Sequence, residues 1–552
     1  MSVFRRSSTV VFCASLLGYL VVGYLLAVHV GFMLGDALSR VQSAQGVLFS
    51  RDPHLASIGF IFTPMTALVE VPLTAFDSWF PSLTRNGMAG VIMSAVFMAG
   101  AAVQIWAIGG DRGVPRWQQV TITVLFAANP MIVFYGATGM SEAPFVFLMC
   151  WAVRRLIRWT STDDVHDLIG AGVALGLAYL TRYDAAVPIA VGAVFVAVVT
   201  WRRAEKHRWQ TALLDGVILA APGILAFLAW AATSWLLTGQ AFAQFSSVYG
   251  NTQILEQSGG AADSGSAAFA YSAAELLVLA PALPLLAPAV VVLAARRRDL
   301  EVLAATLLLG SVLAFQIATY ATGGTFPFLR FYICSIPLLC CYALQMNPAR
   351  GSLGARRPGA FAAPHTQRGP ALRGLAVAAT VLLAVGLPVT AYGMTSRNLS
   401  VQQYALGALL PGGTEDGTEE DRQLHILATF STEREIAARL DAMDLSDGSI
   451  LLDTLYGFSI VAASEHPKRF VLPSDRDYVT LLGDPAEHGV KYILTVPNSG
   501  RGTSDAVNRR YPTIYDNGAQ IAMLELEIPN DGADQPDWRL YRTLSKAGTE
   551  SE

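Results

Sequence analysis

Eleven long apolar runs, roughly 9–32, 87–108, 118–137, 143–159, 168–181, 185–201, 211–238, 268–295, 300–320, 328–346 and 372–394, occupy most of the first 394 residues. An apolar segment of about 20 residues satisfies its own backbone as a helix and covers the ~30 Å of hydrocarbon in a bilayer. With 53% hydrophobic and 14% charged residues over 552 positions, one soluble globule is excluded. The reading is a polytopic α-helical membrane protein over residues 1–394, followed by a C-terminal extracytoplasmic α/β domain over 395–552. The N-terminal MSVFRRSSTV leads into an apolar run longer than the roughly 7–15 residues of a signal-peptide core, so the first run is read as an uncleaved span.

Charge sets the expected orientation. With the N-terminus cytoplasmic, nearly all cations before residue 395 fall in inner loops, and only Arg40, Arg51, Arg85, Arg182 and Arg330 fall outside. A twelfth apolar piece, Ile58 to Phe76, is broken by Pro64, Glu70 and Pro72. Counting it as a span would invert every later loop, so it is expected as a juxtamembrane or re-entrant helix. The excess of arginine over lysine and the abundant alanine suit a GC-rich bacterial genome. The expected location is the plasma membrane, multi-pass.

Cys13, Cys150, Cys334, Cys340 and Cys341 all lie in apolar runs, which points to no disulfide framework or thiol site. The segment Asn347–Arg373, rich in Gly, Pro, Ala and Arg, reads as a flexible inner linker. Beyond residue 394 the tail carries more acids than bases. GSILLD (448–453), RFVL (469–472), VKYILTVP (490–497), TIYD (513–516) and QIAMLELEI (520–528) read as strands, STEREIAARLDAM (431–443) as a helix, and PGGTEDGTEED (411–421) as a mobile acidic loop. No Gly-rich phosphate loop or nucleophile elbow is present in the tail, whose expected role is structural or acceptor docking.

The chemistry is expected at the outer face. GDALSR and SRDPH, within residues 35–59, follow the first span directly; GMSEAP (139–144), TRYD (181–184) and FPFLRFY (326–332) sit at the outer ends of other spans. Ionisable groups at a membrane edge are functional candidates by default. Carboxylates and arginines converging there suit a substrate with a lipid tail and a phosphate. The plain alternative is that each outer arginine pairs with an acid such as Asp52, Asp77 or Asp184, and for Arg330 with Glu275 or Asp263.

In this pattern the chain resembles the GT-C superfamily of membrane glycosyltransferases, which use polyprenyl-phosphate sugars. The resemblance covers about residues 9–394. It rests on Asp36 in the first outer loop, on the Ser141-Glu142-Ala143-Pro144 turn before the fourth span, and on Arg330, Phe331 and Tyr332 followed by Pro337. The paired Asp-Glu of protein O-mannosyltransferase-like members is missing, since Ala37 follows Asp36, and so is the WWD signature of oligosaccharyltransferases. The resemblance implies a hexosyl- or pentosyltransferase that inverts the anomeric centre, with a lipid-linked sugar donor and a glycan, lipid or protein acceptor outside the cytoplasm. Nothing points to nucleic acid.

Asp36 is the expected catalytic base, because an attacking hydroxyl must lose its proton to a carboxylate within reach. Arg330 and Arg182 are the expected donors to the leaving phosphate. Arg40, Asp52, His54, Glu142, Asp184 and Tyr332 complete the expected substrate-binding set. A divalent ion held by Asp36, Asp52 and Glu142 stays open, although no metal-ligand spacing is visible. Two other classes compete: a transporter or flippase, favoured only by Pro281, Pro284 and Pro288 in the eighth span, and an envelope-assembly anchor that would need no carboxylates.

Overall fold

The computed structural model describes residues 2–243, 250, 255, 265–348, 370–409 and 417–544. Among the described residues, six helices are long and apolar enough to cross a membrane: Arg6–Val30, Met88–Arg112, Tyr183–Arg203, Arg208–Thr238, Glu301–Ala321 and Ala371–Met394. Two bent pairs raise this to eight, Arg116–Ala127 with Pro130–Ala137 at 57° and Ser266–Leu279 with Leu283–Arg297 at 80°. The first bend falls at Asn129, whose side chain accepts from Met131 N at 3.1 Å and so caps a new helix that starts on Pro130.

The other three expected spans are helical but fall short. Residues 143–159 lie in Glu142–Thr162, which carries Arg154, Arg155 and Arg158. Most of 168–181 and of 328–346 lies in the shorter apolar helices Val165–Tyr179 and Leu329–Gln345. The Ile58–Phe76 piece forms only the short helix Met65–Thr74, with Pro72 inside it.

Leucines such as Leu213, Leu225 and Leu236 of the Arg208–Thr238 helix are exposed, as a lipid-facing surface requires. Packing between helices relies on small residues. A side chain at Gly172 or Gly176 would run into the backbone carbonyls of Leu219 or Pro222 on the neighbouring helix. At the end of Met88–Arg112 remote from Gly87, the buried Arg112 guanidinium ties Asp299 and Glu301, each at 2.5 Å, to the Asn347 carbonyl at 2.8 Å. The expected linker lies, for residues 349–369, outside the described residues.

The C-terminal α/β domain holds one five-stranded sheet in the order β2-β1-β3-β5-β4. Its strands are β1 (Ile450–Leu451), β2 (Phe470–Val471), β3 (Tyr492–Thr495), β4 (Ala522–Ile528) and β5 (Trp538–Thr543). β1 runs parallel to β2 and β3, and β5 runs antiparallel to β3 and β4. Alternate residues face opposite ways. Ile450, Phe470 and Leu494 enter one core with Ile436 and Leu440 of the Ser431–Asp441 helix, while Leu451, Val471 and Ile493 enter another. TIYD is not a strand: Ile514–Asn517 is a helical turn, ended by Gly518 at φ +73 and by the Asn517 side chain, which accepts from Ala519 N. That Asn-Gly turn chemistry overrides the β-branched composition. Of the expected acidic loop, residues 411–416 lie outside the described residues, and Gly417–Leu427 is a helix.

This domain sits on the segment that follows the first span. Arg434 Nη1 donates to the Gly31 carbonyl at 3.2 Å, and Phe430, Phe458 and Ala462 pack on Leu38.

Candidate active site

The first span ends in a turn of π-helix, Leu25–Val30, closed by Gly31 at φ +81, a conformation that favours glycine. Leu34 is extended, and Gly35–Phe49 then forms a helix with Asp36 in its first turn, where an anion is stabilised by the free backbone N–H groups. Arg40 lies one turn on, so the two side chains share a face.

Arg330 comes from the short turn Leu329–Tyr332 and donates from Nη2 to Asp36 Oδ2 at 3.1 Å. Its Nε lies 3.6 Å from Glu142 Oε1. The guanidinium is flanked by the Phe328 and Phe331 rings at 4.9 and 5.3 Å. Arg182 donates from Nη1 to the same Glu142 oxygen at 2.6 Å, and from Nε and Nη2 to Asp184 Oδ2 at 3.1 and 2.9 Å. Glu142, Arg182, Asp184 and Arg330 line one crevice. Arg40 and Arg330 each place an Nη1 4.0 Å from Met140 Sδ, so Met140 bridges the two cations. Four expected stretches, GDALSR, GMSEAP, TRYD and FPFLRFY, thus meet at one place.

The pairing is uneven. Glu142 is buried and shared by two arginines, whereas the Asp36 side chain is 40% exposed and open to an incoming group. Burial alone would push the Asp36 carboxyl up, but the Arg330 and Arg40 charges and the Arg330 hydrogen bond hold it below the usual carboxylate range. Arg40 stacks on the Phe62 ring at 4.3 Å, and among the described residues no carboxylate hydrogen-bonds it. A guanidinium with free N–H groups beside a second, buried guanidinium is a phosphate-binding arrangement.

The remaining expected residues lie elsewhere. Asp52 Oδ2 accepts from Arg476 N at 3.1 Å, and His54 Nδ1 lies 2.6 Å from the Asp52 carbonyl. Neighbouring Arg51 bonds Asp475 at 3.2 Å and Asp477. The SRDPH stretch is therefore the joint to the C-terminal domain, and among the described residues no hydrogen bond or ion pair links Asp52 or His54 to the Asp36 cluster. Tyr332 turns away from Arg330 and pairs its hydroxyl with Ser272 Oγ at 2.8 Å. Arg330 is paired with Asp36 and Glu142 and, among the described residues, forms no ion pair with Glu275; Asp263 lies outside the described residues.

One acid was not expected at the site. Glu70 is fully buried beside Arg40, with no hydrogen-bond partner on either oxygen among the described residues, and burial pushes its carboxyl well up against the opposing Arg40 charge. A lone acid inside the apolar LVEVPL run was the available signal. Among the described residues, no three His, Cys, Asp or Glu side chains converge as a metal cage.

Residues 78–230 match the family model for dolichyl-phosphate-mannose-protein mannosyltransferases. The whole chain aligns with ArnT from Cupriavidus metallidurans bound to undecaprenyl phosphate at a TM-score of 0.55 and 14% identity, covering 98% of each chain. The apo state of the same protein aligns at 0.51 and 14%, with the same coverage. The archaeal oligosaccharyltransferase AglB from Archaeoglobus fulgidus aligns at only 0.39 and 11% identity, over 88% of this chain and 69% of its own. No curated protein matches the sequence. The ArnT likeness establishes the fold, and the family model independently covers the stretch that supplies Glu142, Arg182 and Asp184.

Proposed function

Taking the chain as a multi-pass membrane protein that resembles the GT-C glycosyltransferases in family sequence and in fold, we propose that it moves a sugar from a polyprenyl-phosphate donor to an extracytoplasmic cell-envelope acceptor. The observation that carries this reading is the half-open Asp36 carboxylate hydrogen-bonded to buried Arg330, with Arg40 beside it hydrogen-bonded to no carboxylate among the described residues. Asp36 takes the proton of the acceptor hydroxyl as that oxygen attacks the anomeric carbon. The bond from that carbon to the phosphate oxygen breaks, its electron pair stays on the phosphate, and the configuration inverts. Arg330 and Arg40 hold the growing phosphate charge.

One feature of the pairing fits this sequence of events. A carboxyl held low is ionised but a weak base. A donor phosphate that engages Arg330 and Arg40 neutralises the charges holding it, so the Asp36 base strengthens only when donor is bound. Glu142 positions both Arg182 and Arg330.

The same reading assigns residues 1–394 to an eleven-span catalytic domain with a cytoplasmic N-terminus, and 395–552 to an extracytoplasmic domain in the plasma membrane of a bacterium. The contact of Arg434 with Gly31 supports a common side for the site and the C-terminal domain. The test is to incubate the purified protein with a panel of polyprenyl-phosphate hexoses and pentoses and to follow donor consumption. Consumption of one donor with release of polyprenyl phosphate supports the reading. Intact donor throughout, with movement of lipid-linked sugar across reconstituted vesicles, would replace it with a flippase.

A further inference from the structure

The C-terminal domain does more than cover the Asp36 helix. The Phe430 and Phe458 rings lie 3.6 and 3.8 Å from the place a side chain at Gly35 would occupy, so the Thr454–Ala463 helix rests against the start of the helix that carries Asp36. Tyr456 lies in the first turn of that covering helix, and the Arg501 guanidinium sits over its ring at 5.5 Å. The loop is shaped to put it there. Gly500 has φ +53, and a side chain at Gly502 would run into the Pro497 carbonyl. Among the described residues no carboxylate pairs with Arg501, and its Nε is buried without a hydrogen-bond partner. A partly buried cation left without an anion is costly, and a ligand anion is the simplest group to complete it.

Arg40 and Arg330 reach the Asp36 carboxylate from the membrane domain, where a lipid-linked phosphate arrives. Arg501 stands on the covering domain, over the helix that packs against Gly35, the residue before Asp36. It is close enough that its charge joins those of Arg330 and Arg40 in holding the Asp36 carboxyl down. We propose that Arg501, backed by Tyr456, is the anion-binding element of the acceptor subsite, meeting a carboxylate or phosphate that the acceptor carries beside its attacking hydroxyl. This rests on the glycosyltransferase reading above and gives the C-terminal domain a part in choosing the acceptor.

The test uses the full-length protein, the donor that the panel identifies and three acceptor probes at matched concentration: octyl glucoside, octyl glucuronide and octyl glucoside 6-phosphate. Donor consumption is first read across the whole donor panel with each probe present; if the parent protein consumes none, the glycosyltransferase reading fails and takes this inference with it. With donor consumed, the parent is expected to prefer one anionic probe over the neutral one by about tenfold or more, as one charge-assisted contact allows. Which anionic probe wins tells carboxylate from phosphate. In Arg501→Ala and Arg501→Gln the preference falls to near unity, and the acid limb of the pH profile moves to higher pH because Asp36 keeps only Arg40 and Arg330. Arg501→Lys retains part of the preference. Arg510→Ala, an exposed cation of the same domain, leaves it at the parent value. A parent without anionic preference, or a folded Arg501→Ala that keeps it, overturns the proposal.

Discussion

Replacing Arg330 by alanine removes the side chain that, among the described residues, meets both the open carboxylate and the buried one. Its guanidinium donates to Asp36 at 3.1 Å and lies 3.6 Å from Glu142, between the Phe328 and Phe331 rings. Breaking a buried pair costs about 3–5 kcal/mol when the partner is left alone. Here Glu142 keeps Arg182 at 2.6 Å and the Asp36 side chain is 40% exposed, so a loss nearer 1–3 kcal/mol of stability is expected, roughly one charge-assisted hydrogen bond. The effect on the product is of similar size: losing one such contact to phosphate, about 1.5–3 kcal/mol, weakens polyprenyl-phosphate binding about 10- to 100-fold. Arg330→Lys keeps the charge but loses the planar fork and the stacking on both rings, and is expected to fall between the two. Titration of undecaprenyl phosphate into purified protein in detergent reads the affinity. The pH profile reads a second consequence. Without Arg330, the Asp36 carboxyl loses the leading charge and the hydrogen bond that hold it down against burial and so rises, and turnover that needs the ionised form sets in at higher pH. A folded Arg330→Ala with parent product affinity would remove this residue from the site. An equal loss in Glu275→Gln would favour the structural pairing instead.

The other expectations concern topology and the neighbouring acids. Single cysteines replacing the exposed Leu55 and Val479, in a protein stripped of its native five, should both react with an impermeant thiol reagent in cells lacking an outer barrier; labelling at one and protection at the other would break the common side. Glu142→Gln should lower thermal stability by about 3 kcal/mol, because two arginines share that carboxylate, whereas Glu70→Gln, which breaks no hydrogen bond or ion pair among the described residues, should stay within about 1 kcal/mol; equal losses would mean that Glu70 pairs with Arg40 as a charge. Arg51→Ala should raise hydrogen exchange around Asp475 and Asp477 by loosening the domain joint, while Asp52→Asn leaves turnover near the parent rate; a collapse of turnover in Asp52→Asn would return that residue to the site.

Much of the architecture was legible because hydrocarbon imposes one rule on every span: apolar residues in helical runs. The four strands at Ile450, Phe470, Tyr492 and Ala522 were legible as short β-branched and aromatic runs. The last strand was not, since Arg539 and Arg542 interrupt its apolar alternation. Asp36, Glu142, Arg182 and Arg330 could be grouped because charges at span ends are expensive and few. Asp52 and His54 carry the same signal for another reason: they sit where a second domain docks, and a sequence does not tell a docking joint from a substrate site. Tyr332 adjoins Arg330, yet the tight turn it occupies sends the two side chains to different partners. Arg501 was hidden altogether, because its loop has no periodicity and its place near the Asp36 helix exists only once the C-terminal domain has folded over the segment after the first span.

Asp36→Asn keeps the shape of the side chain and its contact with Arg330 while removing the proton acceptor. The decisive measurement is single-turnover sugar transfer by this variant, read beside its donor affinity. The rate is expected to fall about 10²-fold or more with donor binding retained. Transfer at the parent rate by folded, donor-bound Asp36→Asn protein would contradict Asp36 as the base.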